Sequence, residues 1–476
     1  MRKNRNIFLF VLLLLPLAAS AHDAVPFDAF FEGRTMRLDF FHTGGLGQEI
    51  VSLDRVVDDG PWAGPRSRTL DTLNLGEYRF VVRDLQSHTE IYSRGFSSIY
   101  GEWETTPDAK IRHQTFHESL RFPWPKRPVE VLLEKRGDQN AFLPLWSTVV
   151  DPASRQVNRA PLDPLAEVFT VFESGPAAEK VDILFLGEGY SAAETAKFRS
   201  DAKRLAEALF ATEPFKSRKS SFNVRAIAPP SSKTGVHRVR ANEARRTPMS
   251  VEYNIFDSER YVLTLDNRAL RDIASAAPYE FVEILVNERT YGGGGIFGLH
   301  STAAAGNAFA EYLVIHEFGH HFAALADEYY TSPVAYETGG SEHAEPWEPN
   351  ATALHDPANL KWKDLVTPGT PLPTPWDKAA YEERSRAYQK KRAELREKGV
   401  PEEQMEELFR EQKAWEEKFF AAQKHAGKVG AFEGASYEAQ GLYRPEVDCI
   451  MFSRNDVGFC DVCSRAIVKV IELYTE

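Results

Sequence analysis

Ala308-Phe-Ala-Glu-Tyr-Leu-Val-Ile-His-Glu-Phe-Gly-His-His-Phe-Ala-Ala-Leu-Ala326 reads as one helix, and its contents decide how the rest of the chain is read. His316 and His320 stand at i and i+4, about 40° apart on a helix wheel, so both imidazoles face one way. They can share one cation at the ~2.0–2.1 Å usual for zinc and nitrogen. Glu317 lies between them and can reach a zinc-held water without displacing it, as general base. The run Glu311-Tyr-Leu-Val-Ile315 brings an apolar face into the motif, as a helix buried beneath a cleft requires.

A catalytic zinc needs a third protein ligand and one open position. Ala326-Asp-Glu-Tyr-Tyr330 follows at once. The metzincin pattern His-Glu-x-x-His-x-x-Gly-x-x-His/Asp would place glycine at 323 and the ligand at 326, but this chain has Ala323 and Ala326. Asp327 comes one residue late. Eleven residues of unbroken helix would carry it ~16 Å from His316, so the helix has to break first. Neither Ala323 nor Ala324 is the glycine that usually takes such a left-handed turn. Asp327 is the first candidate and Glu328 the second. A gluzincin arrangement would instead use a later glutamate, such as Glu337 or Glu342.

Downstream stand Asp448-Cys-Ile-Met-Phe-Ser453 and Phe459-Cys-Asp-Val-Cys463. Met451 is a candidate Met-turn beneath the metal. In an oxidising compartment, Cys449 is expected to pair with Cys460 or Cys463 and leave one thiol free. A second zinc on these cysteines would need a fourth ligand that the sequence does not identify. Tyr443 and Arg444 precede the Met-turn and are candidate oxyanion donors, as are Tyr329 and Tyr330.

Upstream, Val181-Asp-Ile-Leu-Phe-Leu186, Phe222-Asn-Val-Arg-Ala-Ile227 and Phe281-Val-Glu-Ile-Leu-Val286 read as buried strands. Ser191 and Glu194 form a capping box before a helix running to Phe210. This order suggests an α/β or α+β domain over 177–476. Gly187-Glu-Gly is no dinucleotide fingerprint, since Ala192 stands where the third glycine belongs. No Gly-x-Ser-x-Gly or Walker loop occurs. Gly293, Gly294 and Gly295 form a candidate substrate-binding strand at the cleft edge.

Residues 22–151 read as a β-sandwich without a helical run. Thr35–Phe41, Tyr78–Arg83 and Val129–Glu134 alternate between turn residues. Asp151–Pro176, broken by prolines, reads as a linker. Residues 376–424 read as a charged helical hairpin turning at Gly399-Val-Pro401, with a solvated face; a partner-binding or substrate-gating arm is the alternative. Arg2, Lys3 and Arg5, an apolar run from Ile7 to Leu15 and Ala19-Ser-Ala21 make 1–21 a cleavable signal peptide, so a periplasmic or secreted protein is expected. The apolar run is too short to span a membrane. Net charge is −12, from 57 basic and 69 acidic residues in 476. That balance argues against a nucleic-acid or anionic-membrane partner.

Several stretches resemble the IgA-peptidase (M64) family of metallopeptidases. They are Phe96-Ser-Ser-Ile-Tyr-Gly-Glu-Trp103, Glu118-Ser-Leu-Arg-Phe-Pro123, Leu186-Gly-Glu-Gly-Tyr190 and Tyr291-Gly-Gly-Gly-Gly295. His316–His320 through Ala326-Asp-Glu-Tyr329, Phe432-Glu-Gly-Ala435, Gly441-Leu-Tyr-Arg-Pro445 and Cys449-Ile-Met451 continue the series. The resemblance implies an α+β multidomain protein, with an N-terminal β-sandwich before a metzincin-like zinc peptidase domain. The charged hairpin lies outside the resembling stretches and reads as an insertion. His316, His320 and the Asp327 region would be ligands and Glu317 the base. IgA as substrate does not carry over. The expected function is an exported zinc endopeptidase acting on protein or peptide, its N-terminal domain a candidate contact for glycan or glycoprotein. The rival is an inactive binding or adhesin module with a structural zinc.

Overall fold

The computed structural model describes residues 25–137, 139–333 and 343–475. The leader at 1–21, Glu337 and Glu342 lie outside the described residues. One turn of helix, α1 (Phe27–Phe30), leads into β1 (Phe31–Gly45), β2 (Gln48–Pro61), β3 (Tyr78–Asp84), β4 (Glu90–Phe96), β5 (Gln114–Pro125), β6 (Val129–Arg136), β7 (Phe142–Val150) and β8 (Val157–Asn158). They form two four-stranded sheets, ordered β5-β1-β2-β8 and β4-β3-β6-β7. Met36, Leu38 and Phe40 of the first meet Phe80, Val82, Val131 and Leu133 of the second in one core. Alternate residues of each strand point inward, so period-2 patterning builds this face.

Two expectations need correction here. The region does contain a helix, α2 (Ile99–Glu104), whose cap Ser98 accepts a hydrogen bond from the Gly101 amide. Six residues are too few for helical periodicity to show in sequence. The stretch taken as a linker contributes strands to both domains. β8 closes the first sheet, and β9 (Phe169–Phe172) pairs with the next. Both occupy sheet edges, where neighbouring prolines are tolerated.

The second domain continues with β10 (Val181–Glu188), β11 (Phe222–Ile227), the short strands β12 (His237–Arg238), β13 (Glu252–Tyr253) and β14 (Val262–Leu263), then β15 (Phe281–Val286), β16 (Gly293–Ile296) and β17 (His300–Ala304). Its six-stranded sheet runs β16-β17-β15-β10-β11-β9. β10, β11, β15 and β17 are parallel, and the edges β9 and β16 are antiparallel. Every residue of β10 and β15 is buried, which is why they read as continuous apolar runs. Helices α3 (Thr195–Leu209), after the Ser191–Glu194 capping box, and α5 (Ala310–Ala323) pack with Phe185 on one face. Helix α4 (Asn267–Ala274) packs with Leu184 and Leu186 on the other.

The charged hairpin is α6 (Lys378–Glu397) and α7 (Glu402–Ala421). It is not merely a solvated arm. Phe409 packs on Tyr291 and Phe309, and Glu406 accepts the Ala308 amide at 3.2 Å, at the entrance to α5. The stripe Met405, Phe409, Gln412, Glu416, Phe420 is buried at helical spacing, hidden in sequence by the charges around it. β18 (Phe432–Ala435), β19 (Glu438–Arg444) and α8 (Asp461–Tyr474) complete the chain. Among the described residues no helix is long and apolar enough to cross a membrane.

Candidate metal centre and cleft

Helix α5 stops at Ala323, three residues earlier than its sequence suggests. Ala324 caps it at φ 55°, ψ 33°, and its amide closes on the Gly319 and His320 carbonyls. This left-handed conformation costs an L-residue about 1–2 kcal/mol. An alanine, not a glycine, makes the break that Asp327 requires, so the turn was invisible to a rule that looks for glycine.

The break returns Asp327 to the histidines. Its Oδ1 lies 3.0 Å from His316 Nε2 and 3.2 Å from His320 Nε2, and the two Nε2 atoms are 3.2 Å apart. Ligands held tetrahedrally at ~2.0–2.1 Å stand ~3.3 Å apart. The three atoms therefore form one face of such a tetrahedron. The opposite ring nitrogens are committed: His316 Nδ1 is 2.9 Å from the Ile450 carbonyl and His320 Nδ1 is 2.5 Å from that of Leu325. Each Nδ1–H donates to its carbonyl, which leaves the Nε2 lone pair for a cation. Asp327 Oδ1 is buried without a hydrogen-bond partner. Tyr437 hydroxyl donates to Oδ2. Converging lone pairs and an orphaned carboxylate oxygen fit a zinc ion.

With no cation between them, the acid and the imidazoles balance one another, so a metal would displace a proton from Nε2. Burial opposes charging His320, but Asp327 overrides it and lifts the imidazole to about 9. Asp327 is buried, yet His320 and His316 hold it well below the usual carboxylate range. Burial pushes Glu317 upward, toward the basicity a proton acceptor needs. The Glu317 carboxylate lies within 4.8 Å of ligand atoms on both histidines. A third histidine, His321, faces the sheet instead, where its Nε2 accepts the Val282 amide at 3.1 Å.

Glu328, the alternative ligand, points away from this centre. Its Oε1 accepts from Asn350 Nδ2 at 3.0 Å and lies 3.5 Å from Cys463 Sγ. Met451 does sit beneath the histidine helix. A Cβ on Gly319 would come within 3.0 Å of its sulfur, and its carbonyl accepts the Glu328 amide at 2.9 Å. The expected disulfide is absent. Cys449, Cys460 and Cys463 are all free and buried, with Cys449 and Cys463 Sγ 3.9 Å apart.

A cleft of about 580 Å³ opens over the centre. The second domain lines it with the histidine motif, Gly293–Gly295, Arg260, Tyr329 and Tyr437; the first domain contributes Ser97, Glu102 and Asn140. Glycine is required at 295, where a Cβ would stand 2.3 Å from the Glu317 carbonyl. The IgA peptidase M64 family model matches residues 169–471, and that of the peptidase M64 N-terminus matches 26–147. The chain belongs to the IgA peptidase M64 family. None of the curated proteins matches it.

M64 is a family of metallopeptidases, and its N-terminal region is a separate domain. In this M64 chain, several candidates fall outside the cleft. Tyr443 lies on β19, its backbone paired with Glu433 and Thr352, and does not line it. Arg444 is buried over the Phe452 ring and donates to the Gly434 carbonyl at 2.8 Å. Tyr330 packs on Tyr381 and Phe452. Residues the sequence did not mark take their places: Arg260, whose Nη2 donates to the Tyr329 hydroxyl at 2.6 Å, and Tyr437. Neither lies in a motif, and only the fold brings them to the centre. The outer edge of the glycine strand is partly engaged, because Tyr261 bridges Gly293.

Proposed function

We propose that this chain is an exported zinc endopeptidase of metzincin-like type. The convergence of His316, His320 and Asp327 on one point, with both outer imidazole nitrogens committed to carbonyls, carries the reading. His316, His320 and Asp327 would hold the ion, and Met451 would floor it. Zinc, when bound, supplies Lewis acidity toward the scissile carbonyl and toward an attacking water.

Glu317 takes the proton from the attacking water and passes it to the leaving amine. Its raised basicity suits both transfers. Tyr329, held protonated by burial, accepts from Arg260 and bonds Asp327, and can turn its hydroxyl proton to the developing oxyanion. It replaces Tyr443 in that role. Gly293, Gly294 and Gly295 let a substrate backbone approach closely. The N-terminal domain forms the facing wall and so contacts the protein substrate. Export rests on the leader at 1–21.

The test compares mature wild-type protein with Glu317→Gln for zinc content and for hydrolysis of casein and mixed peptides. Both should retain zinc and only wild type should cleave. Zinc without cleavage across a broad library would favour a binding module, although an intact Glu317 has no use in one. Absence of zinc from wild type would refute the reading.

A further inference from the structure

Beneath the catalytic centre lies a second buried cluster. Glu328, Cys449, Cys460 and Cys463 each offer one ligand atom, and the four atoms lie within 4.8 Å of one another. Cys449 and Cys463 Sγ are 3.9 Å apart, and Glu328 Oε1 is 3.5 Å from Cys463 Sγ. Around tetrahedral zinc, with sulfur at ~2.3 Å and oxygen at ~2.0–2.2 Å, such pairs would stand ~3.8 and ~3.6 Å apart. A disulfide would instead bring two sulfurs to ~2.05 Å.

Charge points the same way. Glu328 is fully buried, and its Oε2 has no hydrogen-bond partner. Among the described residues no lysine or arginine forms an ion pair with it. Arg444 acts on Glu328 only through space, its guanidinium bonding the Gly434 and Val447 carbonyls at 2.8 and 3.1 Å. A buried carboxyl without an ion-pair partner takes up either a proton or a cation, and three sulfur ligands beside it make this a place for a cation. Backbone amides point at two of the sulfurs: Cys460 N donates to Cys449 Sγ at 3.3 Å, and Cys463 N to Cys460 Sγ at 3.4 Å. Cys460 is the N-cap of α8, which fixes its sulfur at the start of that helix.

We propose that Glu328, Cys449, Cys460 and Cys463 bind a second divalent cation, zinc by preference, in a closed four-coordinate site. The cation ties together three chain segments. One follows Asp327 directly, one carries the Ile450 carbonyl that orients His316, and one is the first turn of α8. The site is structural, and it holds the third catalytic ligand and a histidine anchor in register. It stands independently of the peptidase reading.

The experiment measures zinc by elemental analysis in wild type, His320→Ala and Cys463→Ser, each reconstituted with zinc, then repeats reconstitution with cobalt(II). His320→Ala should retain one zinc per chain, one fewer than wild type, and its cobalt form should show a thiolate-to-cobalt charge-transfer band. Its thiols should resist a thiol reagent until a chelator is added. Cys463→Ser should lose the charge-transfer band. Should Cys463→Ser fail to fold, the His320→Ala protein alone decides. A His320→Ala protein with no metal, or with two of the cysteines in a disulfide, overturns the proposal. That result leaves the peptidase reading intact, whereas zinc present only at the cysteines would overturn the peptidase reading alone.

Discussion

The two domains both bury charge, but they balance it differently. In the N-terminal domain Arg37 is fully buried and reaches Asp39 at 2.9 Å and Asp59 at 2.6 Å, and Asp272 on α4 of the second domain at 2.5 Å. Asp39, Asp54 and His117 approach one another as metal ligands would. Yet Arg37 and Arg55 neutralise Asp39, and Arg268 pairs with Asp54. That triad is already satisfied by protein cations. His42, between Glu118 at 3.1 Å and Glu49 at 2.9 Å, is a second balanced group. In the peptidase domain, among the described residues, neither Asp327 nor Glu328 pairs with lysine or arginine. A low-dielectric interior tolerates charge only when it is compensated. Where side chains supply both signs, the cluster is structural; at Asp327 and Glu328, where cation ligands cluster instead, a metal is the proposed source of positive charge.

The sharpest way to break this contrast is at Asp327. Asp327→Asn should lose catalytic zinc and all measurable peptidase activity, while Asp54→Asn should leave metal content and activity unchanged. Elemental analysis beside a peptide assay reads both. Next, Glu317→Gln should lower kcat by about 10²–10⁴-fold with zinc retained; unchanged kcat would remove Glu317 from the mechanism. Arg37→Met removes one cation shared by Asp39, Asp59 and Asp272, but leaves Arg55 and Arg121 in place. It should therefore cost less in urea unfolding than the about 3–5 kcal/mol of a fully broken buried pair, without altering zinc content.

His42 offers a pH test of the balanced domain. Burial opposes its charging, but Glu118 and Glu49 raise it from 6.5 to about 9. A folded-state value above the unfolded one means its stabilisation is complete below about pH 6.5 and is lost as pH rises through about 9. The loss should reach about 3 kcal/mol. It would be seen as a falling urea midpoint in wild type that His42→Gln flattens. Smallest, Ala324→Gly should relieve the left-handed cap and stabilise the protein by about 0.5–1 kcal/mol. Destabilisation would show that the alanine methyl contributes packing there.

Some of the site was legible because its chemistry is local. His316, Glu317 and His320 lie within five residues on one helix, and helical geometry alone aims both imidazoles together. The buried strands Val181–Leu186 and Phe281–Val286 were legible for a similar reason: apolar runs reflect burial on both faces. Other features depended on partners distant in sequence. Tyr437 reaches Asp327, and Arg260 reaches Tyr329, across separations of 110 and 69 residues. The hairpin's buried stripe was masked by the charges that share its helices. The disulfide expectation failed because cysteine spacing does not fix how closely the fold brings two sulfurs together, here 3.9 Å for Cys449 and Cys463.

Sequence alone therefore determined the zinc motif, its family resemblance and the order of the domains. Tertiary structure decided which of two adjacent acids serves the histidines. Asp327 turns to them and Glu328 to the three cysteines, because Ala324 breaks the helix and the Glu328 amide is tied to the Met451 carbonyl. That choice depends on a backbone reversal against a segment more than 120 residues downstream, where Met451 receives the Glu328 amide. Local propensity cannot encode such a contact; only the packed fold brings its two ends together.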